Sequence, residues 1–250
     1  MLLHLAAWPE IENYLKTSQT IIVPIGSTEQ HGPNGLLGTD AICPEVIAHE
    51  IGKRCNLLIA PTIGIGMAQH HLGFPGSISL RPSTLLRVIE DVVNSLLVHG
   101  FKKIYFFNGH GGNIATVNAA FSEIYAQSSF AQREPFTQVD LRLQNWWEGS
   151  RVGKLSNEHF KGSEGSHATP SEVSLTYFVY PEAIKRVIMQ PEIAPTGPIR
   201  DATDYRQQFA DGRIGSNPAL AKAEIGEKLL HASVEDTIEH LHAIGFISSK

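Results

Sequence analysis

The chain has 250 residues, 42% hydrophobic and 18% charged, which suits one α/β domain over 1–250 and is too apolar for a disordered chain. A net charge of -5 without a Lys/Arg cluster argues against a nucleic-acid or anionic-membrane partner, and no apolar run is long enough to span a bilayer. Cys43 and Cys55 form neither a disulfide framework nor a CxxC pair, and the opening MLLHLAAWPEIENY lacks a signal peptide's basic region, so a cytoplasmic protein with free thiols is expected.

Three short β-branched or aromatic runs read as buried strands: 20–26 (TIIVPIG), 56–63 (NLLIAPTI) and 103–108 (KIYFFN). Residues 136–141 (FTQVDL) are a weaker fourth. Helical periodicity lies between them. It covers 41–54, then 82–99 with Pro82 in the first turn and Gly100 as the stop, then 113–127. A last helix is predicted over 217–244, capped by Asn217, with Leu230, Val234, Ile238 and Leu241 facing inward. The Pro-, Gly- and Asp-rich segment 190–215 reads as a long surface loop or an oligomer contact. Strands alternating with helices predict a mostly parallel sheet covered on both faces.

Polar residues gather where the strands end. The first strand runs into GSTEQHGPNGLLGTDA (26–41). Glu29 and His31 are two apart and point the same way in extended chain, and four glycines let the path bring Asp40 back to them. Carboxylate, imidazole and carboxylate suit a divalent cation. The third strand ends in NGHGGN (108–113), placing His110 on the edge where ligands gather in parallel sheets. A third stretch is GSHATPSEVS (165–174). There Glu172 fits the first turn of a helix, where the helix dipole favours a negative charge, whereas His167 has no such structural use. HLGFPGSISL (71–80) joins strand to helix on the same edge. There is no GxSxG elbow and no Walker lysine. The composition itself points here, with 12 histidines in the chain.

In order and spacing these four stretches resemble the creatininase family, from near the N-terminus to about residue 180. The resemblance implies a three-layer α/β sandwich and a two-metal site, usually zinc or manganese, with iron(II) admissible. It also implies a homo-oligomer, often a hexamer. It places metal ligands on Glu29, His31, Asp40 and His110, with Asp40 as the bridge, and the catalytic histidine on His167. Creatinine-hydrolysing members carry a ligand Glu where this chain has Gly112, so Glu172 stands as the substitute fifth ligand. They also carry a tryptophan where this chain has Ser163, and Trp146 or Trp147 would replace part of that wall. His71 is expected to orient the substrate or a group behind the metal ligands, and Trp147 to contact the substrate.

The implied reaction is hydrolysis of a small-molecule amide, of the creatinine-to-creatine kind. In it a bridging metal hydroxide attacks the carbonyl and His167 protonates the leaving nitrogen. The alternatives are a formamide-type C–N hydrolase acting on a purine or flavin precursor, and a non-catalytic metal-binding relative. A phosphoesterase ranks lower, since Arg81 and Lys161 are the nearest cations in sequence.

Overall fold

A computed structural model describes residues 1–131 and 139–248. Among them, four strands form one sheet in the order β2-β1-β3-β4, every pair parallel. They are β1 (Thr20–Ile25), β2 (Leu58–Ile59), β3 (Lys103–Asn108) and β4 (Asp140–Asn145). β2 is shorter than the predicted 56–63. Pro61 cannot donate to the ladder, and pairing resumes only as an isolated bridge between Ile25 and Ile63. β4 lies later than the predicted 136–141, whose first three residues fall outside the described residues.

Among the described residues eight α-helices accompany the sheet: α1 (Trp8–Leu15), α2 (Thr39–Cys55), α3 (Pro82–Val98), α4 (Ile114–Ala131), α5 (Ser150–Phe160), α6 (Pro170–Val179), α7 (Ala202–Gln208) and α8 (Ala223–Ala243). Strand alternation divides the core between two faces. Ile22, Tyr105 and Phe107 pack against α2, α5 and α8. Ile21, Val23, Ile25, Ile104 and Phe106 pack against α3 and α4. The result is a three-layer α/β sandwich. No described helix is long and apolar enough to cross a membrane.

The predicted helix over 217–244 is broken. Asn217 caps only a 3-10 turn, Pro218–Leu220, and α8 starts at Ala223. The extended residue Lys222 between them donates its N–H to Ser174 Oγ on α6, which re-aims the chain. Gly226 then lets α8 touch α6, since a Cβ there would stand 1.9 Å from the Ser174 carbonyl oxygen. Segment 190–215 is not all surface. It contains α7, and Tyr205, Phe209 and Ile214 form a small buried cluster with Phe74. Arg213, fully buried, donates to Asp211 and to the carbonyls of Pro191, Glu192 and Ser216, pinning the segment down.

The chain leaves β1 toward β2 on one side, while β3 lies on the other. The exits of β1 and β3 therefore flank a topological switch point, where a crevice opens at the carboxyl end of the sheet.

Candidate metal centre

The crevice is built around Asp40, in the first turn of α2. Pro44, four residues on, has no N–H to give the Asp40 carbonyl. Gly26 and Gly109, at the exits of β1 and β3, close on that carbonyl instead. A Cβ at either glycine would stand 2.0 Å from the Asp40 oxygen. Asn108 and Asn113 hold the exits in place. Asn108 Nδ2 donates to the His110 carbonyl and to Asn145, and Asn113 Nδ2 donates to the Gly26 carbonyl.

Each Asp40 oxygen faces one imidazole. Oδ1 lies 2.9 Å from His31 Nε2 and Oδ2 lies 2.9 Å from His110 Nδ1. The other nitrogen of each ring is committed to the backbone. His31 Nδ1 donates to the Glu29 carbonyl at 3.0 Å and His110 Nε2 to the Met67 carbonyl at 2.9 Å. Backbone partners of this kind leave His31 Nε2 and His110 Nδ1 as the ligand atoms.

Glu29 is fully buried between His71 Nε2 at 3.0 Å and His110 Nε2 at 3.3 Å, yet neither of its oxygens accepts an aligned hydrogen bond. Asp40 Oδ2 is likewise buried without one. Glu172 divides its carboxylate. Oε1 accepts from the Thr169 N–H at 2.5 Å, closing a capping box on α6, while Oε2 lies 3.9 Å from His31 Nε2. One oxygen thus serves the helix start and the other faces the centre.

Two compact triads result, Glu29–Asp40–His110 and His31–Asp40–Glu172, and Asp40 belongs to both. His167 forms a third grouping with Glu29 and His31, its Nδ1 3.7 Å from Glu29 Oε1. Three buried carboxylates in one crevice would repel strongly without compensating positive charge. In the protein alone, protons supply it. Burial opposes the charged form of both rings, but Asp40, Glu172 and Glu29 raise His31 to about 10, and Glu29 and Asp40 raise His110 to about 9. Burial would lift Asp40, but the same two rings hold it well below the usual carboxylate range. Burial pushes Glu172 up to about 7. Burial, followed by His71 and His31, keeps His167 neutral. The donor set and the orphaned carboxylate oxygens fit two divalent cations sharing Asp40.

A cavity of about 540 Å³ opens above these groups, lined by Asp40, His110, His167 and Glu172 at its floor and by Trp146, Trp147 and Phe160 on its wall. Lys161, near His167 in sequence, also lines it, so the cavity does hold a cation, contrary to the expectation from sequence. His71 does not line it. It is 1% exposed and lies behind Glu29, 3.0 Å from Oε1, among His70, His167 and Tyr205, which places it against a carboxylate of the centre and corrects the expected substrate contact to the other expected role, support of a group at the site. Gly112 is sterically required, because a Cβ would meet His110 Nε2 at 2.4 Å and the Met67 oxygen at 2.6 Å. Two neighbours of the centre escaped the sequence reading. Gln30 sits inside a recognised motif, and its place between Glu29 and His31 was the available signal. Tyr205 lies in a stretch with no periodic signal at all.

The chain is 25% identical to creatinine amidohydrolase of Pseudomonas putida, covering 91% of each protein. It is 27% identical to 3-dehydro-scyllo-inosose hydrolase of Thermotoga maritima, covering 94% of this chain and 77% of that one. It is 30% identical to the mycofactocin precursor peptide peptidase of Mycobacterium ulcerans, covering 90% and 85%. Its fold matches a manganese creatininase (TM-score 0.82, 22% identity, 97% and 98% covered) and a Zn–Zn mutant creatininase (TM-score 0.84, 21% identity, 97% of each). The family model described as creatinine amidohydrolase matches residues 4–241. With that match over nearly its whole length, the chain belongs to the creatininase family of hydrolases.

Proposed function

We propose that this protein is a two-metal amidohydrolase that opens an amide C–N bond in a small molecule, of the cyclic creatinine-to-creatine kind. The observation that carries the reading is Asp40, which offers one oxygen to each of two histidine-containing triads at the floor of a cavity. Glu29, Asp40 and His110 would hold one ion, and His31, Asp40 and Glu172 the other. The nitrogen and carboxylate donors suit zinc or manganese. When bound, such a pair brings the pKa of a water toward neutrality and polarises a carbonyl oxygen.

The chain supplies the remaining functions. His167, neutral and beside both triads, takes a proton at Nδ1 and returns it to the leaving nitrogen as general acid. Trp146, Trp147 and Phe160 give the substrate an apolar wall and limit water at the reacting bond.

The cavity volume favours a second reading. About 540 Å³ falls in the range that takes drug-sized ligands rather than a single five-membered ring. A larger amide, such as a formamide-type purine or flavin precursor or the end of a peptide, would fill it better. Likeness to a mycofactocin precursor peptide peptidase supports the peptide version.

The deciding experiment loads metal-stripped protein with Zn²⁺ or Mn²⁺ and assays creatinine, a formamide-type amide and a short peptide. Preferential creatinine turnover supports the first reading, and turnover of only the larger amides moves the assignment to the second. No turnover of any of them at full metal content would refute catalysis.

A further inference from the structure

We propose that Gln30 is a positioning residue whose side-chain amide and backbone carbonyl decide which nitrogen carries the proton in His71 and in His167. The orientation of the Gln30 amide follows from two neighbours that can each play only one role. The Gly32 N–H donates to Oε1 at 2.9 Å, and the Gly212 carbonyl accepts from Nε2 at 2.8 Å. A flipped amide would set oxygen against oxygen and N–H against N–H.

With the amide fixed, its second proton points to His71 Nδ1 at 2.8 Å. That nitrogen must accept, so the His71 proton sits on Nε2, which faces Glu29 Oε1 at 3.0 Å. The Gln30 amide nitrogen also lies 2.9 Å from His167 Nε2, but both its protons are already placed. The Gln30 backbone carbonyl, 2.8 Å from His167 Nε2, can only accept. His167 therefore carries its proton on Nε2 and presents a bare Nδ1 lone pair toward Glu29 and the centre. One residue, 5% exposed, thus sets both rings.

The loop after α7 gives independent support. Gly212 has φ +88, and a Cβ there would stand 1.8 Å from Gln30 Oε1. A side chain on residue 212 would collide with this amide. Tyr205 OH, which donates to the same Gly212 carbonyl at 2.8 Å, fixes the loop from the other side. Segment 190–215 therefore reaches the centre through Gln30.

The chemical consequence rests on the amidohydrolase reading above. At rest His167 is a proton acceptor at Nδ1, and it becomes the acid only after taking a proton at that atom. No other proton position on the neutral ring allows this, since Nε2 is occupied by its bond to Gln30.

The test is ¹⁵N NMR of histidine-labelled, zinc-loaded protein. The wild-type protein is expected to show His71 and His167 both as Nε2–H tautomers. Gln30→Glu replaces the donor with a carboxylate, and should move the His71 proton to Nδ1 or leave the ring doubly protonated. It should also lower kcat about 10- to 100-fold, with zinc content and KM unchanged. An Nδ1–H tautomer of either ring in the wild-type protein overturns the proposal, as does an unaltered His71 in the variant; His167, held by the backbone carbonyl, should keep its tautomer there. If Gln30→Glu does not fold, the wild-type spectrum alone decides. The spectrum needs no substrate. Failure of the amidohydrolase reading would appear separately, as absent turnover with both tautomers in place.

Discussion

Gly112→Ala isolates what holds His110. The new methyl would stand 2.4 Å from His110 Nε2 and 2.6 Å from the Met67 oxygen, which are the two ends of one 2.9 Å hydrogen bond. It must wedge that bond apart. The backbone pays nothing, because Gly112 does not occupy the left-handed region. The damage therefore falls on the ring that presents Nδ1 to Asp40 Oδ2. Losing such a supporting partner weakens metal affinity about 10- to 100-fold, roughly 1.4 to 2.7 kcal/mol. Gly111→Ala is the control, since a Cβ there meets nothing within 4 Å. Competition titration of stripped protein with zinc and a chelating dye reads the difference, and a melting curve verifies folding. Wild-type zinc affinity in Gly112→Ala, or an equal loss in Gly111→Ala, would refute the argument. The same wedge explains why a glutamate at this position is incompatible with the His110 placement seen here.

Two further expectations follow from groups already described. In metal-stripped protein, His31 (about 10) and His110 (about 9) sit above their ordinary value near 6.5. The stabilisation from their pairing with Asp40 is thus complete below about pH 6.5 and fades as pH rises through 9 to 10. The melting temperature should fall across that window, and zinc uptake at pH 7 should release protons from His31, from His110 and in part from Glu172, seen by calorimetry in two buffers; a flat profile with no proton release would contradict the assignment. Arg213→Met removes a fully buried guanidinium from Asp211 and three carbonyls, and should cost about 3 kcal/mol in urea unfolding. A loss under about 1 kcal/mol would show that Arg213 does not hold segment 190–215 in place.

The parts of this molecule legible in sequence are those with local signals. β1 and β3 are unbroken apolar runs ending in glycine-rich turns, and both appear where the residues place them. Glu29, His31, Asp40, His110, Glu172 and His167 stand in short motifs at strand or helix ends, and the structure brings all six into one crevice. What failed to show depends on contacts between distant segments. The break before α8 is set by Ser174, nearly fifty residues away. The burial of His71 behind Glu29 depends on Tyr205 and His167, neither of which periodicity connects to it. Pro- and Gly-rich composition in 190–215 suggested a loop, yet a buried arginine, invisible to pattern reading, turns the segment inward.

The glycines that pinch the Asp40 carbonyl carry one more implication. Gly26 and Gly109 fix Asp40 through the main chain, with no side chain from the cavity wall taking part. The wall comes from elsewhere, from Trp146 and Trp147 after β4, from α5 and from the turn at 161–166. Asp40 and the substrate mould are thus held by separate pieces of polypeptide. Replacing wall residues can alter which molecule fits without disturbing the carboxylate at the heart of the chemistry. A fold divided in this way can change its substrate by small steps, each leaving a working centre behind.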